Sequence, residues 1–95
     1  NITQWADDKG ILVSDNIPQQ TMKVMEELGE TAGAILKNKK TDEVIDGIGD
    51  ILVTVIILSK QLGLDPTKCL ESAWNEIKDR KGKTVNGTFI KQEEL

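Results

Sequence analysis

Apolar residues recur along most of this 95-residue chain at intervals of three and four. That spacing places side chains on one face of an α-helix. The pattern predicts a short first helix that carries Ile2, Trp5 and Ala6. Gly10 is expected to end this helix, and a loop through residues 14–16 follows.

A second, longer helix is predicted from about Pro18 to Lys37, because proline suits the first turn of a helix. Five residues of this segment share one apolar stripe at helical spacing: Met22, Met25, Leu28, Ala32 and Ile35. We expect this stripe to lie against other helices of the fold.

A third helix is predicted from Asp42 to about Leu62, with Thr41 as its N-cap. Between Ile51 and Leu58 its apolar residues fall on nearly every side. Their β-branched side chains also suit a strand, but the pattern is too long for one strand and contains no turn signal. A helix that is apolar all round must be covered all round, and the rest of this short chain is too small to do so. We therefore expect a homo-oligomer.

A fourth helix is expected to be capped by Asp65, to start at Pro66 and to end at Gly82. Its apolar face consists of Leu70, Ala73, Trp74 and Ile77. A turn dipeptide at residues 86–87 follows, flanked by β-forming residues, which favours a short hairpin or an extended tail. No domain boundary interrupts the pattern. Residues 1–95 are therefore expected to form one all-α domain, a bundle of four to five helices completed by homo-oligomerisation.

Composition excludes several kinds of chemistry. The chain has no histidine and one cysteine, Cys69, which excludes Ser-His and Cys-His catalysis, histidine-ligated zinc and an internal disulfide. We expect Cys69 to fill a helix interface in a reducing compartment. A net charge of −4 opposes broad binding to nucleic acid. The longest apolar run is far shorter than the ~20 residues of a membrane span, and no signal peptide is visible. A cytoplasmic protein that binds neither nucleic acid nor membrane is expected.

Acidic residues cluster on the two central predicted helices. Three lie on the second helix and three on the third: Glu26, Glu27 and Glu30, then Glu43, Asp46 and Asp50. Solvated helix surface is the ordinary interpretation of any one of them. Like charges at helical spacing repel, however, and no lysine or arginine interrupts either row. Gly29, Gly47 and Gly49 lie among the carboxylates and would let two helices, or a ligand, approach closely.

Antiparallel packing of the second and third helices would bring the two acidic rows face to face. Such a crowded set of carboxylates needs a counter-charge, and an all-oxygen set predicts a hard divalent cation, Mg²⁺ by default. Because Mg²⁺ held by carboxylates usually bridges to phosphates, the pattern also predicts an anionic ligand.

The fourth predicted helix leads into a basic segment. A functional interpretation places Lys78, Arg80 and Lys81 on phosphate oxygens. Asn75 would contact a sugar or a phosphate. Positively charged side chains are also favoured at any helix C-terminus, and this explains the lysines and the arginine equally well. Trp5, on the short first helix, is a better candidate to stack on a flat base than the other tryptophan, which lies in an apolar stripe.

The chain carries EELGE at residues 26–30, GDILV at residues 49–53 and NEIK at residues 75–78. In this order and spacing they resemble the MazG-type nucleoside triphosphate pyrophosphohydrolases of the all-α NTP pyrophosphatase superfamily. The resemblance covers residues 19–83, and the family pattern is E-E-x-x-E, then E-x-x-D, then N-x-x-K. One position departs from it, since the glutamate expected three residues before Asp50 is Gly47. Asp46 and Glu43, on the same face, are the candidate replacements.

The resemblance implies hydrolysis of a nucleoside or deoxynucleoside triphosphate to the monophosphate and pyrophosphate. It also implies a dimer or tetramer with sites near subunit interfaces. The implied metal is Mg²⁺, with Mn²⁺ as a substitute, and the implied ligands are Glu27, Glu30, Asp46 and Asp50. Catalysis would fall to the glutamates of the second helix, with Glu26 or Glu30 orienting or deprotonating the water, and Lys78 and Arg80 would hold the departing pyrophosphate.

Two alternatives stay open. One is a related pyrophosphohydrolase that acts on dUTP or on phosphoribosyl-ATP with the same metal chemistry. The other is a non-catalytic helical oligomerisation or binding module whose metal site has decayed, for which Gly47 is the supporting feature.

Overall fold

The computed structural model describes residues 1–11, 16–38 and 40–94. This part of the chain forms four α-helices, a hairpin and a final 3₁₀ turn. They are α1 (Ile2–Asp8), α2 (Ile17–Leu36), α3 (Thr41–Gln61), α4 (Pro66–Ile77), β1 (Gly82–Val85), β2 (Thr88–Lys91) and the turn Gln92–Glu94. The mainly helical fold and the short hairpin are as predicted. Ser14 and Asp15, in the loop expected before α2, lie outside the described residues.

Glycines end α1 and α3 in the same way. Gly10 and Gly63 have φ of 70° and 74°, a conformation open to glycine because it has no Cβ. After Gly10, the Ile11 amide donates to the carbonyl of Ala6 at 3.0 Å, which is the long bond of a Schellman motif. The predicted end of α1 at Gly10 and the predicted end of α3 at about Leu62 are confirmed.

The start of α4 is confirmed, whereas two other predicted helix ends are wrong. Asp65 accepts hydrogen bonds from the Thr67 amide at 2.9 Å and the Thr67 hydroxyl at 2.6 Å. Thr41 is not a cap, because the chain turns into α3 one residue earlier, at Lys40, with no side-chain hydrogen bond. α4 ends at Ile77 rather than Gly82, since the residues between are charged and exposed and nothing packs them into another turn.

The hairpin β1–β2 is antiparallel and pairs Val85 with Thr88 across a two-residue turn. Asn86 and Gly87 occupy that turn with φ of 51° and 81°. Positive φ at both positions is the geometry that the Asn-Gly dipeptide favours in hairpins. Gly82 begins β1, where a Cβ would overlap the Ile90 carbonyl group.

Helices α2 and α3 form an antiparallel pair at the centre of the fold. Gln20 near the start of α2 donates from Nε2 to the Thr54 carbonyl of α3 at 3.1 Å. Farther along α2, Thr31 lies against Gly47 near the start of α3. α1 packs on α3, and α4 leaves α3 at an angle of 104°. The N-terminal end of α3 thus lies beside the C-terminal half of α2.

The apolar stripe of α2 is not covered by α3, contrary to the expectation that it would pack against other helices of the fold. Its five residues are all exposed: Met22, Met25, Leu28, Ala32 and Ile35. The positions of α2 that contact α3 include Gln20, which donates to the Thr54 carbonyl, and the buried Thr31, which lies against Gly47. Spacing identifies residues that share a face, but it does not identify the surface that covers the face.

Few apolar side chains are buried. Within residues 1–11, 16–38 and 40–94, only Ala6 and Ile57 are buried hydrophobic residues. α4 exposes its predicted apolar face, with Leu70 72% and Trp74 58% exposed. Cys69 on α4 is also exposed, so the prediction that it fills a helix interface is wrong for the single chain.

The chain has a radius of gyration of 16.5 Å. A compact domain of this length is expected near 12 Å. Of the helices in the described residues, none is by itself long and apolar enough to cross a membrane; α3 and α4 meet that criterion only as a bent pair.

Candidate metal and nucleotide site

Carboxylates from α2 and α3 line one open cavity of about 280 Å³. They are Glu27 and Glu30 on α2, and Glu43, Asp46 and Asp50 on α3. The structure thus places both candidate replacements for the missing glutamate, Asp46 and Glu43, on the cavity wall. Glu26 is exposed on α2 and is not among the lining residues.

Small residues bring the two acidic rows together. Thr31 is 4% exposed, and its hydroxyl is turned back onto the Glu27 carbonyl at 2.8 Å. A Cβ added at Gly47 would collide with the Thr31 side chain. The close approach of the helices at this point sets Glu27 and Asp50 on opposite sides of the cavity, one helical turn from the contact.

Negative charges are crowded around Glu27 and change its pKa. Partial burial raises the pKa of Glu27, and the neighbouring charges of Glu30 and Asp50 raise it further. Lys23, one turn earlier on α2, opposes this shift. A carboxylate in this position gains from any cation that enters the cavity.

The donor set fits a hard divalent cation, since it consists of carboxylate oxygens with no sulfur or imidazole competitor. The side chains do not form a finished binding cluster. Among the described residues, no three histidine, cysteine, aspartate or glutamate side chains come close enough together to hold an ion. The cavity therefore offers the right ligand chemistry, but the carboxylates surround it rather than meet at one point.

A second cavity, of about 300 Å³, lies between α1, α2 and α3. Trp5 lies on its wall, 51% exposed, beside apolar residues that include Val53 and Ile57. Glu27 and Asp50 line both cavities, so the two spaces adjoin at these residues. We call this second cavity the Trp5 cleft.

Two polar residues of the Trp5 cleft, Gln20 and Lys23, were missed by the sequence reasoning. Gln20 is held by its hydrogen bond to the Thr54 carbonyl. Lys23 precedes Glu27 by four residues, a spacing that puts both on one side of α2. That spacing is the feature of the sequence that could have placed Lys23 beside Glu27. The same spacing is also common on helix surfaces that face only solvent.

The basic residues at the end of α4 do not reach either cavity within the chain. Asn75, Lys78, Arg80 and Lys81 are all exposed, and none lines the carboxylate cavity or the Trp5 cleft. The structure therefore places the predicted carboxylates and Trp5 on adjoining cavities. The predicted phosphate-binding residues line neither cavity.

Comparison with known proteins agrees with the resemblance of the sequence motifs to the MazG-type pyrophosphohydrolases. The family model for the MazG nucleotide pyrophosphohydrolase domain matches residues 18–85. A protein of Haemophilus phage HP1 (strain HP1c1), described as an uncharacterized 18.2 kDa protein in the rep-hol intergenic region, is 48% identical over 66 residues. The match covers 68% of this chain but 39% of that relative, so the chain corresponds to less than half of its length. No solved structure matches. The extent of the family match shows that the chain belongs to the MazG nucleotide pyrophosphohydrolase family.

Proposed function

We propose that this protein hydrolyses a nucleoside or deoxynucleoside triphosphate to the monophosphate and pyrophosphate in an Mg²⁺-dependent reaction. The observation that carries the proposal is the sharing of Glu27 and Asp50 by the carboxylate cavity and the Trp5 cleft. A nucleotide has a polyphosphate at one end and a flat base at the other. A metal-bound polyphosphate suits the acidic cavity, and a base suits the indole of Trp5.

Four carboxylates would hold the metal: Glu27, Glu30, Asp46 and Asp50. Glu43 lines the same cavity and is the alternative to Asp46. When bound, Mg²⁺, or Mn²⁺ in its place, neutralises phosphate charge and lowers the pKa of a coordinated water.

Glu30 is the better candidate of the two proposed bases, because it lines the cavity and Glu26 does not. The carboxylate oxygen of Glu30 that does not hold the metal would take the proton of the attacking water. The water oxygen then forms a bond to the α-phosphorus, and the bond from that phosphorus to the α–β bridging oxygen breaks. The electron pair leaves with pyrophosphate.

We also propose that the working form is a homo-oligomer, a dimer or a tetramer. The exposed apolar stripe of α2, the exposed face of α4 and the extended shape of the chain support this. A second copy would also supply what the cavity lacks. Lys78, Arg80 and Lys81 of a neighbouring chain would neutralise the phosphates, and Arg80 would stabilise the departing pyrophosphate.

A non-catalytic binding module is the second candidate. Gly47 stands where the family pattern has a glutamate, and no finished ion cluster exists among the described side chains. Such a module would keep the fold and the oligomer without Mg²⁺-dependent chemistry. Action on dUTP or phosphoribosyl-ATP is a variant of the enzymatic proposal with the same carboxylates.

The deciding experiment is pyrophosphate release from canonical and modified NTPs and dNTPs, in Mg²⁺ and in EDTA. We expect release in Mg²⁺ that is abolished by EDTA and by Asp50→Asn. Glu71→Gln is the matched control, because Glu71 is an exposed carboxylate paired with Lys68 at 3.5 Å and lines neither cavity. If a folded oligomer released no pyrophosphate from any nucleotide of the panel, the result would favour the binding module.

A further inference from the structure

We propose that Lys23 binds the α-phosphate of the nucleotide from within the same chain. This inference rests on the proposed function and assigns a residue to the one phosphate at which hydrolysis occurs. It differs from the basic residues after α4, which would have to come from another copy.

The position of Lys23 is the first argument. It lines the Trp5 cleft together with Glu27 and Asp50, the two residues shared with the carboxylate cavity. The α-phosphate is the group that joins the nucleoside to the rest of the polyphosphate. A nucleotide with its base at Trp5 and its β- and γ-phosphates in the acidic cavity must therefore carry its α-phosphate past the shared residues, beside Lys23.

The charge of Lys23 is the second argument. In the described parts of the chain, the ion pair formed is that of Lys68 with Glu71, so Lys23 is not within 4.0 Å of a described carboxylate oxygen. Among the described residues, its ammonium group therefore has no direct carboxylate partner. Among the described residues that line the Trp5 cleft and the carboxylate cavity, Lys23 is the one cation. Lys37 lines a neighbouring cavity that shares Glu30 and Glu43 with the carboxylate cavity but lacks Glu27 and Asp50.

The chemistry of the side chain is the third argument. A lysine ammonium is a compact charge with three donors on a flexible stem, well suited to a phosphate oxygen. At the α-phosphate it would offset the negative charge that repels an attacking water. The competing explanation is that Lys23 only relieves repulsion among the carboxylates of the empty protein.

Comparing a nucleoside with its monophosphate separates these explanations, because the two differ by the α-phosphate alone. The probes are the 2′-deoxynucleosides of the common bases and their 5′-monophosphates, titrated in Mg²⁺ and monitored by Trp5 fluorescence in a Trp74→Phe background. The variants are Lys23→Met, Lys23→Arg and the control Lys60→Met. Lys60 lies at the far end of α3 and lines neither cavity.

We expect Lys23→Met to weaken monophosphate binding about 10-fold or more, the usual contribution of a hydrogen bond to a charged group. Nucleoside binding should stay within about twofold, and Lys23→Arg should retain most of the affinity. Mg²⁺ alone should bind Lys23→Met as tightly as the parent or more tightly, because a nearby positive charge has been removed. A charge-relieving role alone would leave the ratio of monophosphate to nucleoside affinity unchanged.

Failure of this inference can be told from failure of the proposed function. Pyrophosphate release together with an unchanged affinity ratio in Lys23→Met would overturn the role of Lys23 and leave the hydrolase intact. A Lys23-dependent affinity ratio without pyrophosphate release would support the phosphate contact and refute the hydrolase. Absence of monophosphate binding in the parent protein would overturn the role of Lys23, whereas pyrophosphate release would still decide the hydrolase.

Discussion

A side chain cannot be added at Gly47 without displacing Thr31. An ideal Cβ at Gly47 would lie 3.0 Å from the Thr31 Cγ2 atom and nearer still to its hydroxyl oxygen. The residue that departs from the family pattern therefore lies at a point of close approach between α2 and α3. Gly47 and Thr31 both line the carboxylate cavity, so this contact forms part of the cavity wall.

Gly47→Ala should destabilise the protein. Alanine is favoured over glycine inside a helix by about 1 kcal/mol, but overpacking typically costs about 1–3 kcal/mol. We expect a net loss, which urea unfolding would measure. Gly49→Ala on the same helix is the control, because a Cβ there meets nothing within 4 Å. It should stabilise the chain, and Thr31→Ala should offset part of the loss in Gly47→Ala. Equal effects of the two alanines would contradict the packing argument.

Mg²⁺ should raise the midpoint of thermal unfolding. Ligand present at 100 times its Kd stabilises the folded state by about 2.7 kcal/mol. Asp50→Asn and Glu27→Gln should lose most of this shift, because each removes an anionic oxygen from the cavity. Glu71→Gln should keep it. A shift of the same size in all four proteins would indicate non-specific ion binding.

Glu27 should make the metal-free protein less stable as the pH rises. Its pKa is raised by partial burial and by Glu30 and Asp50, so the folded chain binds its proton more tightly than the unfolded chain. The stability it contributes is complete below its ordinary pKa of 4.5 and is lost as the pH rises through the raised value. In EDTA, Glu27→Gln should therefore be more stable than the parent at neutral pH.

Urea unfolding between pH 4 and pH 8 measures this effect. The advantage of Glu27→Gln should shrink as the pH falls towards 4.5. Glu26→Gln, outside the cavity on the same helix, should give a much smaller difference between acid and neutral pH. A pH-independent advantage of Glu27→Gln would show that its effect comes from packing rather than charge.

Leu28→Glu should disrupt assembly. Leu28 lies in the centre of the exposed stripe of α2 and is 55% exposed in the single chain. A charge there would be buried without a partner if a second copy covers the stripe. Light scattering should show a smaller particle, with lower thermal stability. Gln19→Glu, at an exposed polar position of α2, is the control and should leave the size unchanged.

Subunit mixing tests whether Arg80 acts on a neighbouring site. Asp50→Ala and Arg80→Ala chains should each be nearly inactive, with losses of about 100-fold or more. Mixed oligomers should regain activity, because one of their sites combines an intact cavity with an intact Arg80 from the other chain. If Arg80 acted on its own chain, mixing would restore nothing.

Local signals in the sequence were sufficient to predict much of the fold. The ends of α1 and α3 follow from Gly10 and Gly63, the start of α4 from Asp65, and the hairpin from its Asn-Gly turn. Each signal acts within a few residues, through a positive φ or a capping hydrogen bond. The grouping of carboxylates on two helix faces is equally local, since it depends only on helical spacing.

The tertiary structure alone decided which faces meet. The periodicity predicted that the methionine and leucine stripe of α2 would be covered, yet α3 packs on the neighbouring face around Thr31. That choice brings Glu43 to the cavity and leaves Glu26 outside it. It also places Lys23 beside the shared carboxylates and leaves the basic end of α4 away from them. Helical spacing specifies neighbours along one helix, whereas contact between helices depends on how closely two distant backbones can approach.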